Sequence, residues 1–473
     1  MIFGTVETTL LLSLATLFLG YCAYLGYNRT GDPLHPAVIL APLFFLGMVL
    51  EPAQRLLHPE LVNFFPEYRG LAFAMAVQYV GLVFFFLGAL SIAPRVKTQG
   101  GASSLIDISS DARKREKIRL VAWSLALFSL FGYWYGIYMN GGFLKSYSIS
   151  KGGGLSTVTG YLGEAQNLGV AAVVFYAISL QRSRLTVTSV IAALLMISPT
   201  VLQATFGGRR GPMFIAGATL FVSYFIAIGR VPKLRQIAMM LVILLSAMVF
   251  VGSQRGNLYF GSGKGLNLES FWESLAGSKI ATADNFVVSS GAVLAIYELD
   301  EFHWGRRFIT TFGIRPIPRV IWPTKYDDVS RFMYGKSFSE IQNSHYAWVN
   351  VLGWRPTNGY AINAIVDLYW EFGWLYVLAL WLFGRGISMV WHRFRTLGGY
   401  WFVGYFLIAA LAIYLPTQSF SAFAHRFLYL SVMSFVFWRL TFGGTRKNQP
   451  LRRPMTQRTR SPVPRPLDAH PIE

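Results

Sequence analysis

Long hydrophobic stretches dominate this chain and limit what it can fold into. About eleven of them are long enough to cross a bilayer, because the hydrocarbon core needs about 20 apolar residues per helical span. Their approximate positions are 5–27, 34–50, 71–93, 118–139, 157–180, 187–206, 211–229, 236–253, 361–388, 400–416 and 424–442. The pattern predicts an all-α polytopic integral membrane protein with about 11 transmembrane helices, in a range of about 10 to 12.

The composition agrees with this class of protein. Only 14% of the 473 residues are charged and 53% are apolar, whereas average soluble domains carry about 25% charged residues. The net charge of +20 would indicate a nucleic-acid partner in a soluble protein. In a membrane protein basic cytoplasmic loops produce the same excess, so we expect membrane lipids and no nucleic acid as partners.

One long gap interrupts the hydrophobic stretches and divides the chain. Residues 1–253 hold the first eight predicted helices, and 361–442 hold the last three. Between them, residues 254–360 form a basic and aromatic segment that is rich in Pro and Gly, predicted to be one large external loop. The end of the chain, 443–473, is rich in Arg and Pro with few apolar residues, and we expect it to be a disordered basic tail.

The connections between the stretches predict the topology through their charge. Basic residues concentrate in 95–119, 182–184, 230–235, 393–395 and the tail, which all fall on one side if the spans alternate. Cytoplasmic loops carry the excess of Lys and Arg. The C-terminus is therefore predicted to be cytoplasmic and the 254–360 loop periplasmic, in a bacterial inner membrane.

Ionisable residues gather toward the predicted external ends of the spans, where such residues commonly mark functional sites. Arginine binds phosphate oxygens through two parallel hydrogen bonds, and lysine adds a point charge. Together the basic side chains predict a cationic vestibule for a pyrophosphate. The proposed binding residues are Arg209, Arg210, Arg255, Arg315, Arg319, Lys325 and Arg426. Glu164 and His425 lie at the same level, and His425 is either a buried structural residue or part of the site.

The candidate proton acceptors are carboxylates in the first span after the gap. Asp367 and Glu371 are four residues apart and so share one helix face. Either of them, or else His345 in the loop, is predicted to take a proton from an incoming hydroxyl. The alternative for the two carboxylates is a packing role beside an arginine. The sequence contains no metal-binding or cofactor motif, so neither is expected.

Three segments resemble a known family. The loop segment Arg315-Pro-Ile-Pro-Arg319-Val-Ile-Trp-Pro-Thr-Lys325 resembles one typical of bacterial oligosaccharide repeat-unit polymerases, the Wzy-type O-antigen polymerase family. The helix entry 359–374 and the turn 207–211 are also similar to that family. The resemblance implies a GT-C-like architecture and a metal-independent membrane glycosyltransferase.

The same resemblance implies a reaction and its partners. Members of the family link undecaprenyl-pyrophosphate-bound oligosaccharides into a surface polysaccharide, alongside a chain-length regulator and a flippase. Two alternatives stay open, an O-antigen ligase-type transferase and a transporter or flippase for the lipid-linked sugar. The sequence shows no internal repeat and no sign of interrupted helices, which are typical of transporters, and this favours an enzyme.

Overall fold

The architecture is known from a computed structural model that describes residues 6–57, 68–92, 112–148, 161–181, 185–254, 269, 272, 285–300, 302–317, 321–337 and 361–442. Every regular element among these residues is helical, and the described ranges contain no strand. Ten of the described helices are long and apolar enough to cross a bilayer. The chain is a multi-pass membrane protein, as the hydrophobic pattern predicts.

The helices follow one another in the order that the hydrophobic stretches predict. They are α1 (Val6–Thr30), α2 (Pro36–Phe45), α3 (Glu51–Leu57), α4 (Tyr68–Leu90), α5 (Ala112–Met139), α6 (Phe143–Ser148), α7 (Tyr161–Glu164), α8 (Leu168–Ser179), α9 (Val187–Thr205), α10 (Arg210–Ile228), α11 (Leu234–Ser253), α12 (Asn285–Leu299), α13 (Arg306–Phe308), α14 (Lys325–Tyr334), α15 (Ala364–Phe372), α16 (Tyr376–Leu397), α17 (Tyr400–Leu411), α18 (Tyr414–Thr417) and α19 (Phe420–Phe442). The predicted span 157–180 corresponds to α7 and α8, whose apolar part, Ala165–Ser179, is shorter than the other spans.

The segment predicted to be a large loop contains a buried apolar helix. Helix α12 lies among the described residues of 254–360, and ten of its 15 residues are buried. Its Ser290 Oγ accepts a hydrogen bond of 3.0 Å from Gln78 Nε2 of α4, and its Ser289 Oγ accepts one of 2.9 Å from the main chain of Asn363. At 15 residues α12 is shorter than a full span, so the sequence pattern assigned it to the loop.

Several predicted spans are interrupted, which corrects the expectation of continuous helices. A π-helical turn at Leu46–Leu50 separates α2 from α3, and 3₁₀ turns at Ala165–Asn167 and Gly373–Leu375 separate α7 from α8 and α15 from α16. At the last break Gly373 has φ 53°, a conformation that glycine adopts without steric cost. Such local breaks leave the hydrophobic pattern unchanged and so escape a search by hydropathy.

Helices α4 and α16 pack closely against each other, and they run parallel. The Tyr376 hydroxyl donates 2.6 Å to Val77 O near one end, and Arg385 Nη1 donates 3.3 Å to Ser91 Oγ near the other. Between these points, a Cβ at Gly384 would overlap the carbonyl oxygen of Phe85. The absence of a side chain there lets the two backbones touch, as small residues do between helices in membranes.

The turns between consecutive helices lie at two opposite ends of the bundle. At the basic-turn end, defined by the turns 31–35 and 398–399, Asp32 Oδ2 lies 3.1 Å from Arg395 Nε. At the large-loop end, defined by the turns 206–209 and 418–419, Asn285 Nδ2 donates 2.9 Å to Thr417 O. This arrangement agrees with the alternation of spans that the sequence predicts.

Candidate functional site

Two clusters of charged side chains lie at the large-loop end. We call the first the Arg307 cluster, after its central residue. Arg307 Nη2 donates to Asp367 Oδ1, and its Nε lies 2.9 Å from Glu371 Oε1. Both carboxylates are on one face of α15, and both side chains are fully buried. The guanidinium also lies 4.8 Å over the ring of Trp370. Buried charges require partners of this kind because they have lost their hydration.

A strained turn closes the end of α15 beside this cluster. Asp300 and Trp304 have φ 50° and 51°, values that are uncommon outside glycine. The Trp304 amide donates 2.6 Å to Glu371 O, and the Gly305 amide donates 3.0 Å to Glu371 Oε2. The turn thereby satisfies main-chain groups that the end of a helix leaves unpaired. Glu371 holds the turn through both its main chain and its side chain.

His303 in this turn is held as a neutral side chain. Its amide donates 3.0 Å to Trp370 O, and its ring lies 5.0 Å from the Trp370 ring. Burial, followed by the positive charges of Arg307 and Arg306, lowers the pKa of His303 to about 3. The imidazole therefore carries no charge at neutral pH.

The second cluster is built around Glu164 and is called the Glu164 cluster. Its Oε1 lies 3.1 Å from His425 Nε2 and 3.5 Å from Arg315 Nη2. Its Oε2 accepts 3.0 Å from Asn167 Nδ2 and lies 3.8 Å from Arg426 Nε. Glu164 is the last residue of α7, directly before the 3₁₀ turn, so the break in the helix positions both Glu164 and Asn167.

Arg426 is fixed by contacts on several sides. Its Nη1 donates 2.8 Å to Ala422 O, and its guanidinium lies 4.6 Å over the ring of Tyr414. A Cβ at Gly211 would come within 2.7 Å of the Tyr414 ring. The glycine after Arg209 and Arg210 therefore lets the start of α10 pack against the tyrosine that supports Arg426.

Ser421 joins the two clusters at the start of α19. Its amide and its hydroxyl each donate 2.9 Å to Asp367 Oδ2. Its carbonyl oxygen lies 2.8 Å from His425 Nδ1. One turn of helix thus connects the Arg307 cluster to the Glu164 cluster through the main chain of a single residue.

Lys325 is buried and fixes the main chain that carries Arg315. Its Nζ donates 3.1 Å to Ile314 O, 3.1 Å to Arg315 O, and also to Ile317 O. An ammonium group has three donors, and each of them faces one of these carbonyls. The lysine thereby holds the turn in which the Arg315 guanidinium reaches Glu164.

The structure brings most of the predicted site residues to one end of the bundle, in separate groups. Arg315 and Arg426 belong to the Glu164 cluster, whereas Asp367 and Glu371 belong to the Arg307 cluster. Arg209 precedes α10 and is half-buried, and Arg210 is exposed at its first position. The predicted residues Arg255, Arg319 and His345 lie outside the described residues.

Sequence reasoning missed three members of the two clusters, Arg307, Ser421 and Asn167. The adjacent residues Arg306 and Arg307 lie among aromatic residues of the predicted loop, and this pattern could have indicated a charged site. Asp367, the partner of Arg307, is 60 residues away in the chain, and no spacing rule predicts that contact. Ser421 and Asn167 are ordinary helix-terminus residues in the sequence pattern.

The two clusters present positive charge outward. The side chains of Arg307, Arg315 and Arg426 are 26%, 30% and 22% exposed. The carboxylate side chains of Asp367, Glu371 and Glu164 are 0%, 0% and 6% exposed. Within the described ranges, no three or more His, Cys, Asp and Glu side chains come together as a metal site. The accessible part of the site is therefore cationic and suited to an anion.

Comparison with known proteins leaves the function to be inferred from this site. The chain matches no protein-family model, no curated protein and no solved structure.

Proposed function

We propose that the protein polymerises undecaprenyl-pyrophosphate-linked oligosaccharide repeat units into a surface polysaccharide, such as an O-antigen, a capsule or an exopolysaccharide. In this reaction the growing glycan leaves its lipid pyrophosphate and joins a hydroxyl of the next lipid-linked unit. The large-loop end of the bundle faces the periplasm in this proposal, and the C-terminus lies in the cytoplasm. The multi-pass fold and the motifs at 315–325 and 359–374 support it.

The observation that carries the proposal is the outward-facing positive charge around Glu164. Arg315 and Arg426 share this one carboxylate, and both guanidiniums are partly exposed. A diphosphate offers several oxygens to guanidinium groups, which bind phosphate with two parallel hydrogen bonds. Fixed cations also stabilise the charge that develops on a leaving pyrophosphate. The proposed glycosyl transfer is metal-independent, with the arginines supplying that charge.

Other residues extend the proposed binding surface. Arg209 and Arg210 start α10 beside Gly211, which packs on the Tyr414 that supports Arg426. In this proposal they contact the same lipid-linked substrate. A chain-length regulator and a flippase are proposed partners, because the reaction needs a supply of external repeat units and a limit to chain growth.

Alanine substitutions test the proposed diphosphate site. Arg315→Ala and Arg426→Ala each remove a hydrogen-bonding charge, which is worth about 1.5–3 kcal/mol, or roughly 10- to 150-fold in affinity. We expect purified variants in lipid nanodiscs to bind undecaprenyl pyrophosphate more weakly by such factors. The host bacterium carrying either variant should lose long-chain polysaccharide.

Arg385→Ala is the matched control for these variants. Arg385 lies within α16, donates to Ser91 Oγ and stacks on Trp381, away from both clusters. It should leave binding and polymer length unchanged. Normal long-chain polysaccharide in both Arg315→Ala and Arg426→Ala would remove these residues from the site and the proposal with them.

A transporter of lipid-linked sugars is the second candidate, and the interrupted helices favour it. Secondary transporters bind substrate at breaks in their membrane helices. Here the break at Ala165–Asn167 directly follows Glu164, and the break at Gly373–Leu375 follows Glu371 closely. The proposed enzyme uses the same breaks to position its charged groups.

Deletion of the gene distinguishes the two candidates by where lipid-linked single repeat units accumulate. Without a polymerase, single units gather on the periplasmic leaflet, where an impermeant glycosidase releases them from spheroplasts. Without a flippase, the units stay on the cytoplasmic leaflet and resist that enzyme. A ligase defect gives a third result, because full-length polymer then forms but stays on its lipid.

A further inference from the structure

The contacts of His425 fix where its protons lie. A carbonyl oxygen only accepts hydrogen bonds, so Nδ1 at 2.8 Å from Ser421 O carries a proton. The other ring nitrogen, Nε2, lies 3.1 Å from Glu164 Oε1. A bare Nε2 and an ionised carboxylate are both acceptors and would repel each other. A proton therefore lies between them, either on the ring or on the carboxyl group.

The ring orientation follows from the same network. In the present ring orientation, each ring nitrogen faces an oxygen atom, whereas a flipped ring would turn carbon atoms toward both oxygens. Histidine orientation is assigned from the hydrogen-bond network in this way. The ring and the Glu164 side chain are both buried. Burial keeps bulk water away from the proton between them.

Other groups pack against this pair and set its charge. Arg315 faces Glu164 Oε1 from the segment after α13, Arg426 faces Oε2 from α19, and Asn167 donates to Oε2 from the 3₁₀ turn. With its proton the pair is neutral overall, and the two arginines add two positive charges. We expect an anion that binds the exposed parts of these guanidiniums to lie next to the proton.

The carboxylates of the Arg307 cluster have partners of a different kind. Asp367 accepts from Arg307 and from the amide and hydroxyl of Ser421. Glu371 accepts from the Gly305 amide and faces Arg307 Nε. These donors are a guanidinium, amides and a hydroxyl, none of which gives up its proton readily at neutral pH. The Glu164 cluster therefore differs from its neighbour in pairing its carboxylate with a histidine, a side chain that can exchange a proton near neutral pH.

We propose that Glu164 and His425 act as a proton-donating pair for the leaving pyrophosphate, an inference that rests on the proposed polymerase function. The acceptor hydroxyl oxygen forms the new bond to the anomeric carbon of the donor sugar. The bond from that carbon to the pyrophosphate oxygen breaks, and its electron pair stays on the pyrophosphate. The proton between His425 Nε2 and Glu164 Oε1 moves to that oxygen, and the proton of the acceptor hydroxyl restores the pair. No further reactant is consumed.

Separate measurements of substrate affinity and polymerisation rate test this step. Proton transfer by a positioned group contributes about 10²- to 10⁴-fold to a rate. Glu164→Gln keeps the shape of the side chain and removes the site that shares the proton. We expect it to slow polymerisation by about 100-fold or more, while undecaprenyl pyrophosphate binds as tightly as before, because the introduced amide beside a neutral imidazole is as uncharged as the original pair and the two arginines stay in place. The substrate is the lipid-linked repeat unit purified from the host strain that lacks this chain.

Asp32→Asn is the matched control, since Asp32 is an equally buried carboxylate with an arginine partner at the opposite end of the bundle. It should polymerise at the wild-type rate per folded molecule. His425→Gln is the second variant, because its amide can donate to Glu164 in place of Nε2 but holds no transferable proton. It should also bind substrate and turn over slowly.

The outcomes separate the two proposals. Glu164→Gln that polymerises at the wild-type rate overturns the proton-donating pair and leaves the polymerase standing. A wild-type protein that neither binds undecaprenyl pyrophosphate nor polymerises overturns the polymerase, and with it the pair. Binding and turnover that fall together in Glu164→Gln assign Glu164 to holding the arginines and overturn the proton role.

Nitrogen NMR of histidine-labelled wild-type protein gives a readout that does not depend on turnover. We expect the His425 signals, assigned by their loss in His425→Gln, to show a protonated Nδ1 and an Nε2 that shares a proton. A neutral ring protonated on Nε2 alone would overturn the inference.

Discussion

Removal of the Arg307 guanidinium should destabilise the bundle strongly. Arg307→Met keeps most of the side-chain volume but leaves the buried carboxylates of Asp367 and Glu371 without their counter-charge. Loss of one partner from a buried ion pair costs about 3–5 kcal/mol. Ser421 and the Gly305 amide still donate to the two carboxylates, and the Arg307 side chain is 26% exposed. The low end of the range, about 3 kcal/mol, therefore applies.

Reversible unfolding in mixed micelles measures this change. The purified protein is titrated with a denaturing detergent, and tryptophan fluorescence follows the folded fraction, with Trp370 beside the substituted residue. A loss of about 3 kcal/mol shifts the unfolding equilibrium by roughly 150-fold. A cost below about 1 kcal/mol, typical of an exposed pair, would refute the description of this cluster as a buried ion network.

Neutralising the carboxylates should rescue the variant. In the Arg307→Met background, Asp367→Asn with Glu371→Gln replaces the stranded charges by amides of the same shape. We expect the combined variant to be more stable than Arg307→Met alone, because residues in one ionic network do not act additively. Strict additivity of the separate costs would show that the three side chains do not interact.

Three further predictions concern topology, packing and pH. In a cysteine-free chain, Lys336→Cys should label from outside intact cells with an impermeant thiol reagent and Arg458→Cys should not; the reverse pattern would invert the proposed topology. Gly384→Ala should lower the yield of folded protein because its Cβ would overlap the α4 main chain, whereas Gly386→Ala, with nothing within 4 Å, should not; equal yields would contradict the close contact. Since the pKa of His303 is about 3 in the fold against an ordinary 6.5, the unfolded chain binds the extra proton between these pH values, so stability should fall as pH drops from 6.5 toward 3, and His303→Gln should flatten that dependence. An unchanged slope in His303→Gln would assign the acid sensitivity to other groups.

The hydrophobic pattern was enough to predict the helices, because the length of a membrane span is imposed by the bilayer and is visible in any window of about 20 residues. The side of the membrane that each helix end faces stays a prediction from the basic turns. The pattern did not predict α12, since Asn285–Leu299 is apolar but short. It also did not predict the breaks beside Glu164 and at Gly373, because a change from α to 3₁₀ hydrogen bonding leaves the hydropathy pattern of the sequence unchanged.

The site was predicted in part, and for a physical reason. Charged residues near span ends are costly in lipid, so Glu164 and Arg426 stood out individually in the sequence, and Arg315 stood out in the motif of the predicted loop. Their partners did not, because each pairing depends on how helices pack. Glu164 and His425 are 261 residues apart. The assignments of Glu371, Asp367 and His345 as proton acceptors stay predictions. The contacts of Glu164 and His425 favour this pair for proton transfer instead.

The order in which the polar contacts of α4 form has a consequence for synthesis of the protein in the cell. Gln78 lies in the middle of α4, and its side-chain oxygen accepts a hydrogen bond from Asn363, 285 residues later. At about 5–20 residues per second, the ribosome needs roughly a quarter of a minute to one minute to make that stretch. During this interval α4 holds a polar amide in the bilayer without the bond that it has in the finished bundle. The polar contacts of α4 are therefore completed only after α12 and α15 have been made, so the bundle reaches its final packing late in synthesis.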